Sequence, residues 1–240
     1  MKATPMLMQG PLVLASLRNE KTHTRRLSGL ESINAAPDMW SLLSAGRLDS
    51  EEHQHHGKYG ATFSGPEYSV FVPCRYGAPG DLIWIKETFY AWGRWETRFS
   101  QKKERDEWHF VDMTLECGKE YRYAADGMFT SAKKNCVTPD WHMRPAIFMP
   151  RQVSRLTAQL ISVRVERIQS ITEAAAKAEG TKLTAQPQRS AAPLTYRLCF
   201  SHMWVQINGV NSWANNDWVF DLEYKAIAQN IDAVISKGEY

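Results

Sequence analysis

Tyr196, Cys199, Phe200, Met203, Trp204 and Ile207 recur at i, i+3, i+4, i+7, i+8 and i+11, the strongest apolar stripe in the chain. That spacing predicts a helix over 195–208, ended by Asn208-Gly209, with the stripe facing a core rather than a cofactor. A shorter helix is predicted from Pro11 to Glu20. Pro11 fits a first helical turn, and Leu14 and Leu17 repeat at helical spacing. Ser170-Ile171-Thr172-Glu173 reads as a capping box with Ser170 as N-cap, and the alanine-rich helix behind it stops at Gly180.

Other segments carry a period of two. The turn Gly77-Ala78-Pro79-Gly80-Asp81 leads into the β-forming run Leu82 to Phe89, a strand buried on both faces at its start. Leu156, Ala158 and Leu160 alternate, and then Ile161, Val163 and Val165 take over the opposite parity. This switch of face predicts a bulge within one long strand. Trp218, Phe220, Leu222 and Tyr224 alternate with Val219, Asp221 and Glu223, as in a half-buried strand.

Between these elements the pattern weakens. Residues 27–76 are punctuated by Asn34, Pro37, Gly57, Gly60, Gly65 and Pro66 and suggest loops with short elements. Residues 91–145 hold scattered aromatics and the charge run Lys102 to Glu107. They read as an insertion or lid within a single 1–240 domain, its charges a solvated face. Residues 181–194 look like a mobile loop. There is no βαβ rhythm and no glycine-rich phosphate loop. An α+β fold, a small β-barrel with packed helices, is favoured over a Rossmann sheet.

Composition narrows the function classes. A chain of 240 residues with 43% hydrophobic and 23% charged content can bury a sizeable core. A pI near 8.6 permits nucleic-acid binding without arguing for it alone. Cys74, Cys117, Cys136 and Cys199 form no C-x-x-C pair and are expected to stay reduced, which suits the cytoplasm. Gln9, Gly10 and Pro11 interrupt the N-terminal apolar residues, so neither a signal peptide nor a membrane span is expected. His53, His55 and His56 have no acid or cysteine in ligand register and read as a solvated loop. No metal or organic cofactor is expected.

The candidate chemistry starts at Arg18-Asn19-Glu20-Lys21-Thr22-His23-Thr24-Arg25-Arg26. Four cations against one acid give this stretch a net +3, equal to that of the whole chain. It is either a solvated basic turn or an anion site with an amine and hydroxyls at hand. Glu179 sits in the last turn of its predicted helix, where the negative end of the dipole disfavours a carboxylate at roughly 0.3–1 kcal/mol. It is either a surface residue that tolerates this cost or a general base. Lys21, beside Arg25 and Arg26, would have a depressed pKa if partly desolvated. In a straight strand Lys21 and Thr24 would point to opposite faces, so they act together only if the chain turns.

A set of blocks resembles the ASCH domain group, relatives of the PUA fold, and most closely its long phage and prophage members. The blocks are Glu20 to Arg26, Gly80 to Phe89, Tyr123 to Gly127, Arg144 to Arg151, Val163 to Ile168, Trp204 to Gly209 and Trp213 to Phe220. The resemblance implies a PUA-like barrel with a cleft for a nucleoside or RNA. One small branch of the group is an N4-acetylcytidine amidohydrolase. Its K-T-x-T-x-R motif is matched by Lys21, Thr22, Thr24 and Arg26, and the spacing from its L-T-E helix start lands on Glu179. The resemblance therefore implies Lys21, Thr24 and Glu179 as catalytic residues. Candidate substrate contacts are Thr22, Arg25, Arg26, Trp84, Glu87 and Trp218. Two departures stand out: residues 91–145 have no counterpart in the small enzymes, and His23 and Arg25 replace apolar residues. The alternatives are a non-catalytic RNA-binding module, with Trp84 or Trp218 stacking on bases, and a ribonuclease using Lys21 and His23.

Overall fold

The computed structural model describes residues 2–50, 54–183 and 194–238. Its centre is a five-stranded sheet in the order β1-β6-β11-β12-β2, formed by β1 (Ala3–Leu7), β2 (His23–Arg26), β6 (Leu82–Lys86), β11 (Thr157–Arg167) and β12 (Trp218–Ile227). β1 runs parallel to β6, and the other pairings are antiparallel. β1 and β2 end the order, so the sheet is not closed into a barrel. The side chain of Arg26 reaches from one end strand to the other and donates to the Leu7 carbonyl at 2.9 Å.

The predicted bulge is present. The β11–β12 register shifts between Leu160 and Ser162, and Ile161 is left exposed. Ile83, Ile85, Leu156, Ala158, Leu160, Leu222 and Tyr224 form the main core with Val13 of α1 (Gly10–Leu17). Each such fully buried large side chain is worth about 1.5–3 kcal/mol.

Residues 27–76 contain more regular structure than their pattern suggests. β3 (Ser41–Arg47), β4 (Tyr59–Ser64) and β5 (Ser69–Pro73) form a three-stranded sheet whose Ala61, Phe63 and Val72 close the main core. The short helix α2 (Glu31–Asn34) adds Ile33. Residues 89–144 form a third sheet, with β7 (Phe89–Ser100) flanked by β8 (Arg105–Asp112) and β10 (Asp140–Arg144), and β9 (Arg122–Tyr123) added to β7. The class is thus α+β, mostly strand.

Two helix ends differ from expectation. α1 stops at Leu17 because Asn19 takes a left-handed conformation, φ 58°, and the N–H groups of Glu20 and Lys21 both fold back onto the Ala15 carbonyl. α3 (Glu173–Ala178) is capped by Thr172, whose hydroxyl accepts from the Ala175 N–H; Ser170 lies in the preceding helical turn. Glu173 is therefore the first residue of α3 rather than its third, too early for a capping box. Its carboxylate instead accepts from the backbone N–H groups of Tyr196 and Arg197, at the start of α4 (Tyr196–Asn208). Gly180 does end α3 with φ +77°. Its missing Cβ matters, because one would sit 3.0 Å from the Cβ of Lys21. α5 (Ile231–Lys237) packs on β6. Among the described residues no helix is long and apolar enough to cross a membrane. The expected loop at 181–194 lies mostly outside the described residues, as does His53.

Candidate active site

The fold-back after α1 delivers Lys21 to the C-terminal end of α3. Lys21 pairs with Glu179 through an isolated antiparallel bridge, just before β2 begins. It is therefore not a regular strand residue, and strict alternation does not carry back from Thr24. Lys21, Thr24 and Glu179 line one cavity of about 480 Å³, together with Arg25 and Arg26. That volume lies within the range of small-ligand sites.

The polar end of this cavity is built from buried charge. Lys21 and Glu179 are 1% and 3% exposed. Lys21 Nζ donates to Glu179 Oε2 at 2.7 Å, to the Glu179 carbonyl at 2.9 Å and to the His23 carbonyl at 2.6 Å. Three acceptors around one nitrogen define an ammonium with every N–H used. Burial lowers its pKa, and the adjacent Glu179 carboxylate works against that shift. Glu179 also accepts from Arg25 Nη1 at 3.1 Å. Two cations on this carboxylate outweigh the small dipole cost expected at a helix C-terminus.

Arg25 extends the network through the sheet. Its Nε donates to Glu166 at 2.8 Å, and its Nη2 lies 3.5 Å from Asp221, which also holds Arg164 at 2.9 Å. Burial opposes the Arg25 charge, but Glu179, Asp221 and Glu166 together outweigh it and raise the pKa. Arg25, Asp221 and Arg164 occupy paired positions on β2, β12 and β11, so a row of alternating charge crosses three strands. Tyr224 of β12 is buried in the main core. Its hydroxyl lies 2.8 Å from that of Ser16, and burial pushes its pKa up.

Two groups on the cavity are unspent. The Thr24 hydroxyl has no hydrogen-bond partner among the described residues, although Thr24 is buried. Arg26 Nε is likewise buried without a partner, while Arg26 Nη2 holds Leu7.

The remaining candidate contacts lie elsewhere. Trp84 is buried among Leu82, Ile231 and Val234. Trp218 packs edge-on against Phe63 and donates its Nε1–H to the Pro37 carbonyl at 3.1 Å. Glu87 is 2% exposed and holds Arg155 in a two-point contact at 2.8 and 3.0 Å. Thr22 bonds to His23 Nδ1 at 3.0 Å and faces a different hollow, beside Asn19 and Lys177. Each is engaged by core packing or an internal partner, so none adds to the cavity. A Trp218→Phe variant should lower thermal stability, through loss of the indole N–H bond, and leave ligand affinity unchanged. A several-fold loss of affinity would place Trp218 at the ligand after all.

Glu166 and Asp221 are not candidate site residues in the sequence, nor are the lining residues Leu12, Tyr76, Thr88 and Ile147, and Met203 and Trp204, expected to face only a core, line the cavity as well. The charges on alternate positions of β11 and β12 were visible, but the register that joins them to Arg25 was not. Among the described residues no group of histidine, cysteine and acidic side chains could hold a metal ion.

Comparison of the chain with protein-family models, curated proteins and solved structures found no match. Fold and site together define an α+β protein whose cavity is walled by apolar side chains and closed at its inner end by buried ion pairs.

Proposed function

We propose that the protein is a nucleoside-directed amide hydrolase of the ASCH type, which removes an N4-acyl group from cytidine. The observation that carries this reading is the meeting of Lys21, Thr24 and Glu179 at one cavity. The ASCH reading makes the five-stranded sheet the counterpart of that group's barrel, and the cytoplasm its place of action.

The roles follow from the partners. The substrate's acyl oxygen takes an N–H of Lys21 as Glu179 releases it. Glu179 accepts a proton from water, and the water oxygen bonds to the acyl carbon. The developing oxyanion is held by Lys21, a preorganised cation in a site largely shielded from solvent. The C–N4 bond then breaks, N4 takes the proton from Glu179, and cytidine and a carboxylic acid leave. The Thr24 hydroxyl, without a partner or a base within hydrogen-bond reach among the described residues, orients the water rather than attacking. Arg26 holds the nucleoside.

The competing readings lose their specific supports. Trp84 and Trp218 are packed internally, so neither supports the RNA-binding module as a stacking platform. His23 is absent from the cavity lining, and its ring lies beside Thr22 and Arg164, so it forms no acid–base pair with Lys21 there.

Incubation with N4-acetylcytidine, followed by chromatography for free cytidine, tests the proposal. Release by the wild type is expected, and its absence across N4-acylcytidines would end the hydrolase reading. The charge arrangement also sets the response to salt. Lys21 and Arg25 are neutralised by buried carboxylates, so of the three cations that line the cavity among the described residues Arg26 is left for a ligand anion. Binding of a cytidine nucleotide should weaken with salt as for a single partly screened ion pair. A salt dependence several times steeper would mean that Lys21 and Arg25 also meet the ligand.

A further inference from the structure

The cavity shares its polar groups, which include Gln9, Ser28, Thr88 and Asn208 beside the ion-paired residues, with an apolar lining. That lining comes from four separate parts of the chain: Leu7 at the end of β1, Leu12 of α1, Ile147, and Met203, Trp204 and Ile207 of α4. Three of these are large apolar side chains left open to solvent, Leu7 at 48%, Ile147 at 63% and Ile207 at 44%. A single exposed leucine or isoleucine needs no explanation. Three of them around one cavity make an apolar surface contiguous with the ion-paired end. An acetyl group is a single methyl beyond the scissile carbonyl and leaves such a wall unused.

We infer that the substrate carries an apolar acyl chain of several carbons, with its carbonyl at Lys21 and its tail against the α4 wall. This rests on the hydrolase reading and deepens it by naming the acyl class. The step balances as before: water oxygen bonds to the acyl carbon, the C–N4 bond breaks, N4 gains a proton, and the products are cytidine and a short- to medium-chain carboxylic acid. The chain leaves water on binding, so affinity grows with each methylene that reaches the wall, by roughly fourfold per methylene.

Two measurements separate this inference from the reading it rests on. The first is binding, by calorimetry, of N4-ethylcytidine and N4-hexylcytidine, which lack the scissile carbonyl. The hexyl compound should bind on the order of 10²-fold more tightly, from four added methylenes. Equal affinity, or no binding by either, overturns the inference. The second is kcat/KM for N4-acetylcytidine and N4-hexanoylcytidine, where the hexanoyl compound should be the better substrate. Faster turnover of the acetyl compound overturns the acyl-chain inference and keeps the hydrolase. Turnover of neither, with the hexyl ligand still the tighter binder, removes the hydrolase and leaves the apolar subsite in place. Ile147→Gln with Ile207→Gln alters two exposed positions and should shrink the hexyl-to-ethyl affinity ratio about tenfold. An unchanged ratio would put the chain elsewhere.

Discussion

Glu179→Leu is expected to lower the unfolding free energy by about 3–5 kcal/mol, the cost of stranding one member of a buried ion pair. Lys21 is 1% exposed, and Glu179 is the carboxylate that pairs with it. Without Glu179 the ammonium keeps one carbonyl acceptor from His23 and whatever the residue-179 backbone still offers. Lys21→Met is expected to cost less, because Arg25 continues to neutralise Glu179. The double variant, Lys21→Met with Glu179→Leu, should recover much of the loss, since an apolar pair of similar volume can replace a buried ion pair at little cost. Urea unfolding of the four proteins gives the coupling energy directly. A cost below about 1 kcal/mol for Glu179→Leu, the range of exposed pairs, would mean that water reaches the pair in solution.

Glu179→Gln is expected to reduce kcat on an N4-acylcytidine by roughly 10²-fold or more, the usual worth of a positioned general base. Ligand affinity should change much less, because the loss lies in the transition state. The variant also removes a charge from the network, so its folded fraction must be measured alongside. Thr24→Ala provides the independent check. The Thr24 hydroxyl has no hydrogen-bond partner among the described residues, so its removal should lower kcat with little effect on stability. Turnover undiminished in both variants would rule out this mechanism.

Elements with long, regular periods were legible in the sequence. The α4 helix and the face switch at Leu160 and Ile161 both appear where the periodicity puts them, although the stripe expected to face a core lines the cavity at Met203, Trp204 and Ile207 and leaves Ile207 exposed. β3, β4 and β5 were not legible, because glycines and exposed polar positions break their alternation, and their pairing is fixed by contact with a distant core. The same holds within the site. Lys21, Thr24 and Glu179 were singled out by motif and by the helix end. Trp84, Glu87 and Trp218 were candidates by residue type, which says nothing about whether a side chain already has a partner. Asp221 and Glu166 became part of the site only through register, since a charge on a strand looks alike whether it meets solvent or an arginine on the next strand.

The carboxylate of Glu173 ties the start of α3 to the first backbone groups of α4. One of these helices carries Glu179 at its end, and the other supplies Met203, Trp204 and Ile207. The buried carboxylate and the apolar lining are thus held in register by this side chain and by the packing of Ala176 of α3 with Phe200 and Trp204 of α4. On the proposed hydrolase reading, a new acyl preference is then reachable by substitutions on α4, while Lys21, Thr24 and Glu179 stay as they are.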